Sequence, residues 1–135
     1  MLLKDIEPPD IHQFEITKSN YQIRMEAAEK HKRDVIPRDD IRRYAYDKIV
    51  DNFGEEHWEA FDKLVNKESK WNPTAQNPTS TAYGIMQFLN STWAGTGIQK
   101  TSDPKKQIDA GIIYLTNRYE NPTNAWQHSC RNNWY

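Results

Sequence analysis

Glu68 is the one acidic side chain in KESKWNPTAQNPTSTAYGIMQF, residues 67–88, a stretch otherwise built from amides, hydroxyls, aromatics, small residues, two prolines and two lysines. Of the side chains in that stretch, a carboxyl is the one suited to give up a proton and take it back, provided its pKa is raised. Trp58, Phe61 and Val65 recur at helical spacing, and the next position on that face is residue 68. Glu68 is therefore expected to point inward from the end of an apolar stripe. Burial disfavours the ionised carboxylate and so does the negative end of a helix dipole, so both raise the pKa. A glutamate that bends out to solvent, or pairs with Lys67 or Lys70, satisfies the same spacing, and periodicity leaves both readings open.

The elements that must hold this residue read as helices, with no convincing strand, so the expected fold is all-α. After Pro37, the residues Ile41, Ala45, Ile49 and Phe53 share a stripe, with Asp39 and Asp40 near its start and Gly54 as its stop. A second helix runs from Glu55 and ends before Asn72-Pro73. Asp103-Pro104 reads as a cap followed by a first-turn proline, after which Ile108, Gly111, Ile112, Leu115 and Tyr119 repeat at helical spacing. Short helical pieces are expected around 85–89 and 122–129. Residues 20–34, NYQIRMEAAEKHKRD, are good helix formers with few apolar positions, which suits a solvated helix or an interaction arm. The expected organisation is a helical or extended N-terminal arm over 1–37 and a small helical domain over 38–135.

A chain of 135 residues is long enough for one core and too short for two full domains. Its mean hydropathy is −0.99, and no apolar run approaches the roughly 20 residues of a membrane span, so none is expected. A net charge of −1 with no basic stripe argues against nucleic acid as a partner. The single cysteine, Cys130, excludes an internal disulfide and offers no ligand cluster, so neither metal nor cofactor is expected. Charge is unevenly spread: residues 71–135 hold eight of the 37 charged side chains but nine of the sixteen aromatics and twenty-five Asn, Gln, Ser and Thr. Uncharged hydrogen-bonding groups beside flat aromatic faces suit a carbohydrate. An aromatic core with polar loops gives the same composition.

ESKWNP, AYGIMQF and AGIIYL, in that order, resemble the catalytic domain of the lytic transglycosylases of the soluble-transglycosylase (SLT) type, relatives of goose-type lysozyme. The resemblance covers roughly residues 38–135 and implies a small lysozyme-like helical domain with a substrate cleft. It makes Glu68 the catalytic acid and base and Ser69 its support and a substrate contact. It also implies that Gln87 lines the cleft, that Gly84 and Met86 shape the turn before it, and that Tyr114 brings its hydroxyl toward the acid. Where many members read AYNAG, this chain reads RYENPTNAWQHSCRNNWY, an ending similar to the phage and Gram-positive branch. Tyr119 and Trp126 are cleft candidates there, Asn124 and His128 weaker ones, and core packing accounts for Trp126 equally well.

The resemblance further implies cleavage of the β-1,4 link between N-acetylmuramic acid and N-acetylglucosamine in peptidoglycan, leaving a 1,6-anhydro end. A two-carboxylate glycosidase needs a second acid about 5–5.5 Å or 6.5–9.5 Å from the first. Only Asp103, Asp109 and Glu120 follow Glu68, and none is a persuasive partner. A muramidase that hydrolyses the same bond with water, and a non-catalytic wall-binding or virion-structural module, stay open as alternatives. The start MLLKDIEPPD lacks the apolar run of a secretory leader. The expected setting is a phage enzyme, carried in the virion or released at lysis to act on the cell wall, with residues 1–37 attaching it to a larger assembly. A domain from a longer secreted bacterial protein is the other possibility.

Overall fold

The computed structural model describes residues 18–135, the side chains of 31–35 excepted, so residues 1–17 of the expected arm lie outside it. The chain divides at Ile36/Pro37 into two units. The first holds α1 (Asn20–Val35). Ser19 opens it with a reciprocal cap, its Oγ accepting from Gln22 N at 3.1 Å while its own N donates to Gln22 Oε1 at 3.0 Å. Its side chains over 20–30 are all exposed, Tyr21, Ile23 and Met25 among them. With no continuous apolar face to bury, this helix relies on its cap and on the propensity of its residues.

The second unit is built from α2 (Asp40–Phe53), a 3-10 turn at Glu55–His57, α3 (Trp58–Glu68), α4 (Asn90–Thr96), α5 (Pro104–Tyr119) and α6 (Pro122–Asn132). Side-chain oxygens of Asp39, Asp103 and Asn121 accept from Arg42 N, Lys105 N and Asn124 N, so α2, α5 and α6 each start on a cap. Prolines open α5 and α6, where the missing N–H costs nothing. Helix α3 packs on α2 and α6, and α5 on α2, α4 and α6. Ile49, Phe61, Leu64, Val65, Ile85, Met86, Ile108 and Leu115 close the core at 1% exposure or less. Each large apolar side chain so placed contributes about 1.5–3 kcal/mol of burial.

The expected helical piece at 85–89 is absent. Residues 75–88 form a loop with two isolated bridges, Gln76 to Tyr83 and Tyr83 to Phe88, and the helix of this region lies later, at α4. Ile85, Met86 and Phe88 are buried because the loop crosses the core, and an apolar run does not distinguish that from a helix. Among the described residues there is no strand, and no helix long and apolar enough to cross a membrane.

Candidate active site

Glu68 is the last residue of α3, on the face that buries Phe61 and Val65. It is half-buried, and desolvation holds its carboxyl above the ordinary glutamate range against an opposing pull from Lys67. Lys67 is engaged elsewhere: its Nζ donates to Ser129 O at 3.0 Å and Ser129 Oγ at 2.8 Å. Among the described residues Glu68 forms no ion pair with Lys67 or Lys70. The chain leaves the helix sharply through Lys70 (φ 52°) and Trp71 (φ 64°), and the Trp71 indole packs back on Phe61 and Trp58.

Ser69 ties this helix end to the loop that follows, its hydroxyl donating to Ile85 O at 2.7 Å. Gln107, fully buried on α5, accepts from Ile85 N at 2.8 Å and donates to Pro73 O and Thr101 O at 2.8 Å each. Gly84 (φ 87°) passes so close that an added Cβ would come within 2.7 Å of the Gln107 amide. Gln87 stands at φ 54°, and its amide nitrogen donates to Ala75 O and Gly84 O, both at 2.9 Å. The Met86 side chain is buried against Gly111, where an added Cβ would meet its sulfur at 3.0 Å.

Three tyrosines form a wall. The rings of Tyr114, Tyr119 and Tyr135 lie 5.6–6.3 Å apart, with Phe88 4.9 Å from Tyr114. The Tyr135 hydroxyl donates to Met86 O at 2.6 Å. Burial pushes the Tyr135 phenol well up, and the Glu68 charge adds to the rise. Burial likewise takes Tyr114 up to about 12, with a further contribution from Tyr119. His128 Nδ1 lies 2.9 Å from Trp134 O and 3.4 Å from the Tyr119 hydroxyl, and Arg118 lies 5.4–6.0 Å over the rings of Trp134, Tyr119 and Tyr114.

Of the residues expected from sequence, Ser69, Met86 and Gln87 meet in the loop that Ser69 pins to the end of α3 beside Glu68. Tyr114 and Tyr119 meet in the wall that Tyr135 links to Met86. Trp126 is separate: it has no aromatic partner among the described residues and sits 5.9 Å from Lys67 Nζ. The Asn124 side chain donates to Tyr119 O at 2.9 Å. Sequence reasoning did not single out Tyr135, Gln107 or Arg118. The only signal for Tyr135 was the closing Trp-Tyr pair, and a buried glutamine on a helix gives none.

The other acidic side chains of this half are engaged elsewhere or exposed. Asp103 caps α5, Asp109 accepts from the Tyr44 hydroxyl at 2.7 Å, and Glu120 is exposed beyond α5. Among the described residues no three His, Cys, Asp or Glu side chains converge to hold a metal.

The half-buried carboxyl that ends α3 is thus followed directly by Ser69, whose hydroxyl is bonded to the loop that carries Gly84 and Gln87. The chain belongs to the SLT transglycosylase domain family, which matches residues 53–132, a span that stops short of Trp134 and Tyr135. It is similar to a membrane-bound lytic murein transglycosylase F of Yersinia enterocolitica, 36% identical over 62 residues, or 46% of this chain and 13% of that protein. The namesake of Yersinia pestis matches at the same identity and coverage. That of Serratia proteamaculans is 34% identical over 58 residues, 43% of this chain and 12% of the relative. The matched region is thus about an eighth of the length of these relatives. No solved structure matches the chain significantly.

Proposed function

We propose that this chain is a peptidoglycan lytic transglycosylase in which one carboxyl group, that of Glu68, serves as both acid and base. The observation that carries the reading is the half-buried, desolvated Glu68 carboxyl at the end of α3, where Ser69 pins the 84–88 loop. A carboxylic acid that keeps its proton above the ordinary range can donate it to the glycosidic oxygen between N-acetylmuramic acid and N-acetylglucosamine. As that C–O bond breaks, the acetamido oxygen of the muramic acid closes on its anomeric carbon, doing the work of the absent second carboxylate. Glu68, now a carboxylate, takes the proton of the C6 hydroxyl. That oxygen attacks the anomeric carbon, displaces the acetamido oxygen and leaves a 1,6-anhydro end. No water is consumed.

In this reading Ser69 and Gln107 hold the loop that faces the sugar, and Met86 forms its buried floor. The Gln87 amide nitrogen is committed to loop carbonyls, which leaves its oxygen to accept from a sugar hydroxyl or amide. Tyr114 and Tyr119, with Tyr135, shield the acid from water. Trp126 is a more distant sugar contact. The test is clearing of a peptidoglycan suspension: wild type clears it and Glu68→Gln does not. Inactivity of both proteins would favour a non-catalytic wall-binding module.

For setting, the ending RYENPTNAWQHSCRNNWY supports a phage enzyme, carried in the virion or released at lysis, with residues 1–37 as its attachment arm. The names of the relatives support a bacterial envelope enzyme instead. Mass spectrometry of purified virions and of envelope fractions decides between them.

A further inference from the structure

Beside the tyrosine wall, α4 and α5 flank an open groove of about 400 Å³ that no step of the proposed reaction uses. Tyr114 lines both the groove and the tyrosine wall, so the two adjoin. Ser91, Thr92 and Asn117 supply hydrogen-bonding groups, Ile113 an apolar one and Arg118 a cation. The guanidinium of Arg118 rests over three aromatic rings, and among the described residues no carboxylate lies within 4.0 Å of it. Tyr114, whose phenol stays protonated up to about 12, does not neutralise it at neutral pH. A planar fork of donors already held by ring stacking loses little freedom on taking up a carboxylate.

We propose that this groove binds an acidic peptide, the stem carried on the lactyl group of muramic acid, with Arg118 taking a stem carboxylate. The proposal rests on the peptidoglycan reading above and adds to it the part of the substrate that the sugar chemistry leaves unused. An uncharged glycan offers this exposed guanidinium no counter-charge, whereas a peptide stem brings carboxylates together with backbone groups that suit the hydroxyls and amide of the groove. The floor is open: a Cβ added at Gly95 meets nothing within 4 Å, and Gly95 lies inside a helix. A larger side chain there fills the groove while improving helix propensity.

The test is binding to the full chain carrying Glu68→Gln, which prevents turnover. Two probes are compared: a disaccharide bearing an acidic tetrapeptide stem, and the same molecule with its stem carboxylates converted to amides. The acid form is expected to bind about tenfold more tightly, as one charge-assisted contact provides. Adding Arg118→Gln brings the two probes to within about twofold, Arg118→Lys restores part of the difference, and Gly95→Leu weakens both probes. Equal affinity of the two probes, a preference that survives Arg118→Gln, or no binding of the acid form overturns the groove assignment. Failure of the parent reading shows separately, as wild-type protein that does not cleave peptidoglycan.

Discussion

Helices α3 and α5 both end at a glutamate, Glu68 as the last residue of one and Glu120 just beyond the last residue of the other. The dipole acts on both with the same sign. What separates them is cover. At the end of α3, Ser69 draws the 84–88 loop against the helix, and Tyr135 bonds to that loop at Met86 O. At the end of α5 the chain turns at φ 70° and leaves Glu120 exposed, with Asn121 already capping α6. Desolvation by neighbouring segments, and not helix position, makes one of the two a candidate acid.

The sharpest way to break this contrast is to neutralise each in turn. Glu68→Gln should lower peptidoglycan cleavage by about 10²–10⁴-fold, the range for loss of a general acid. Glu120→Gln should leave it within about twofold, and stability within about 0.5 kcal/mol, as for an exposed residue. A comparable loss in both variants would remove the distinction. Next in size is the cover itself. Tyr135→Ala should cost up to about 10²-fold by loosening the loop and admitting water to the acid. It should also move the alkaline limb of the pH–rate profile toward the ordinary carboxyl range. Tyr135→Phe keeps the ring, loses only the bond to Met86 O, and should cost about 1 kcal/mol of stability with little change in that limb. An unmoved limb in Tyr135→Ala would show that the ring does not shield Glu68.

Ser69→Ala tests the pin between helix and loop. Leaving the Ile85 carbonyl without its donor should cost about 1–2 kcal/mol in urea unfolding, with a parallel loss of activity. The smallest effect concerns stability and pH. Because burial raises the folded-state pKa of Glu68, the folded chain binds a proton that the unfolded chain has lost between the ordinary carboxyl range and that raised value. The Glu68 contribution to stability is therefore fully present below the ordinary range and lost as pH rises through the raised value. Relative to wild type, Glu68→Gln should be more stable at about pH 8 than at about pH 4. A difference independent of pH would mean that the carboxyl is not desolvated.

The parts of this site that follow from local pattern were legible in the sequence. The Phe61–Val65 stripe led to Glu68, and Asp103-Pro104 marked the start of the helix that carries Tyr114. What sequence reasoning did not find depends on pairings with no period. Gln107 meets Ile85 across 22 positions, and Tyr135 meets Met86 across 49. Helix α4, NSTWAGT, is too short and polar to show a face, while the buried loop at 85–88 imitates one. Arg118 reads as an ordinary basic residue near a helix end until folding brings three rings beneath it.

The central claim is that Glu68 alone supplies the acid and base chemistry and that the sugar's own C6 hydroxyl, not water, completes the reaction. Mass analysis of the muropeptides released by the wild-type chain tests it most directly. The account predicts 1,6-anhydro ends, one water lighter than the hydrolysed product. Muramic acid ends that are reducing, and that take up ¹⁸O from labelled water during digestion, would contradict it.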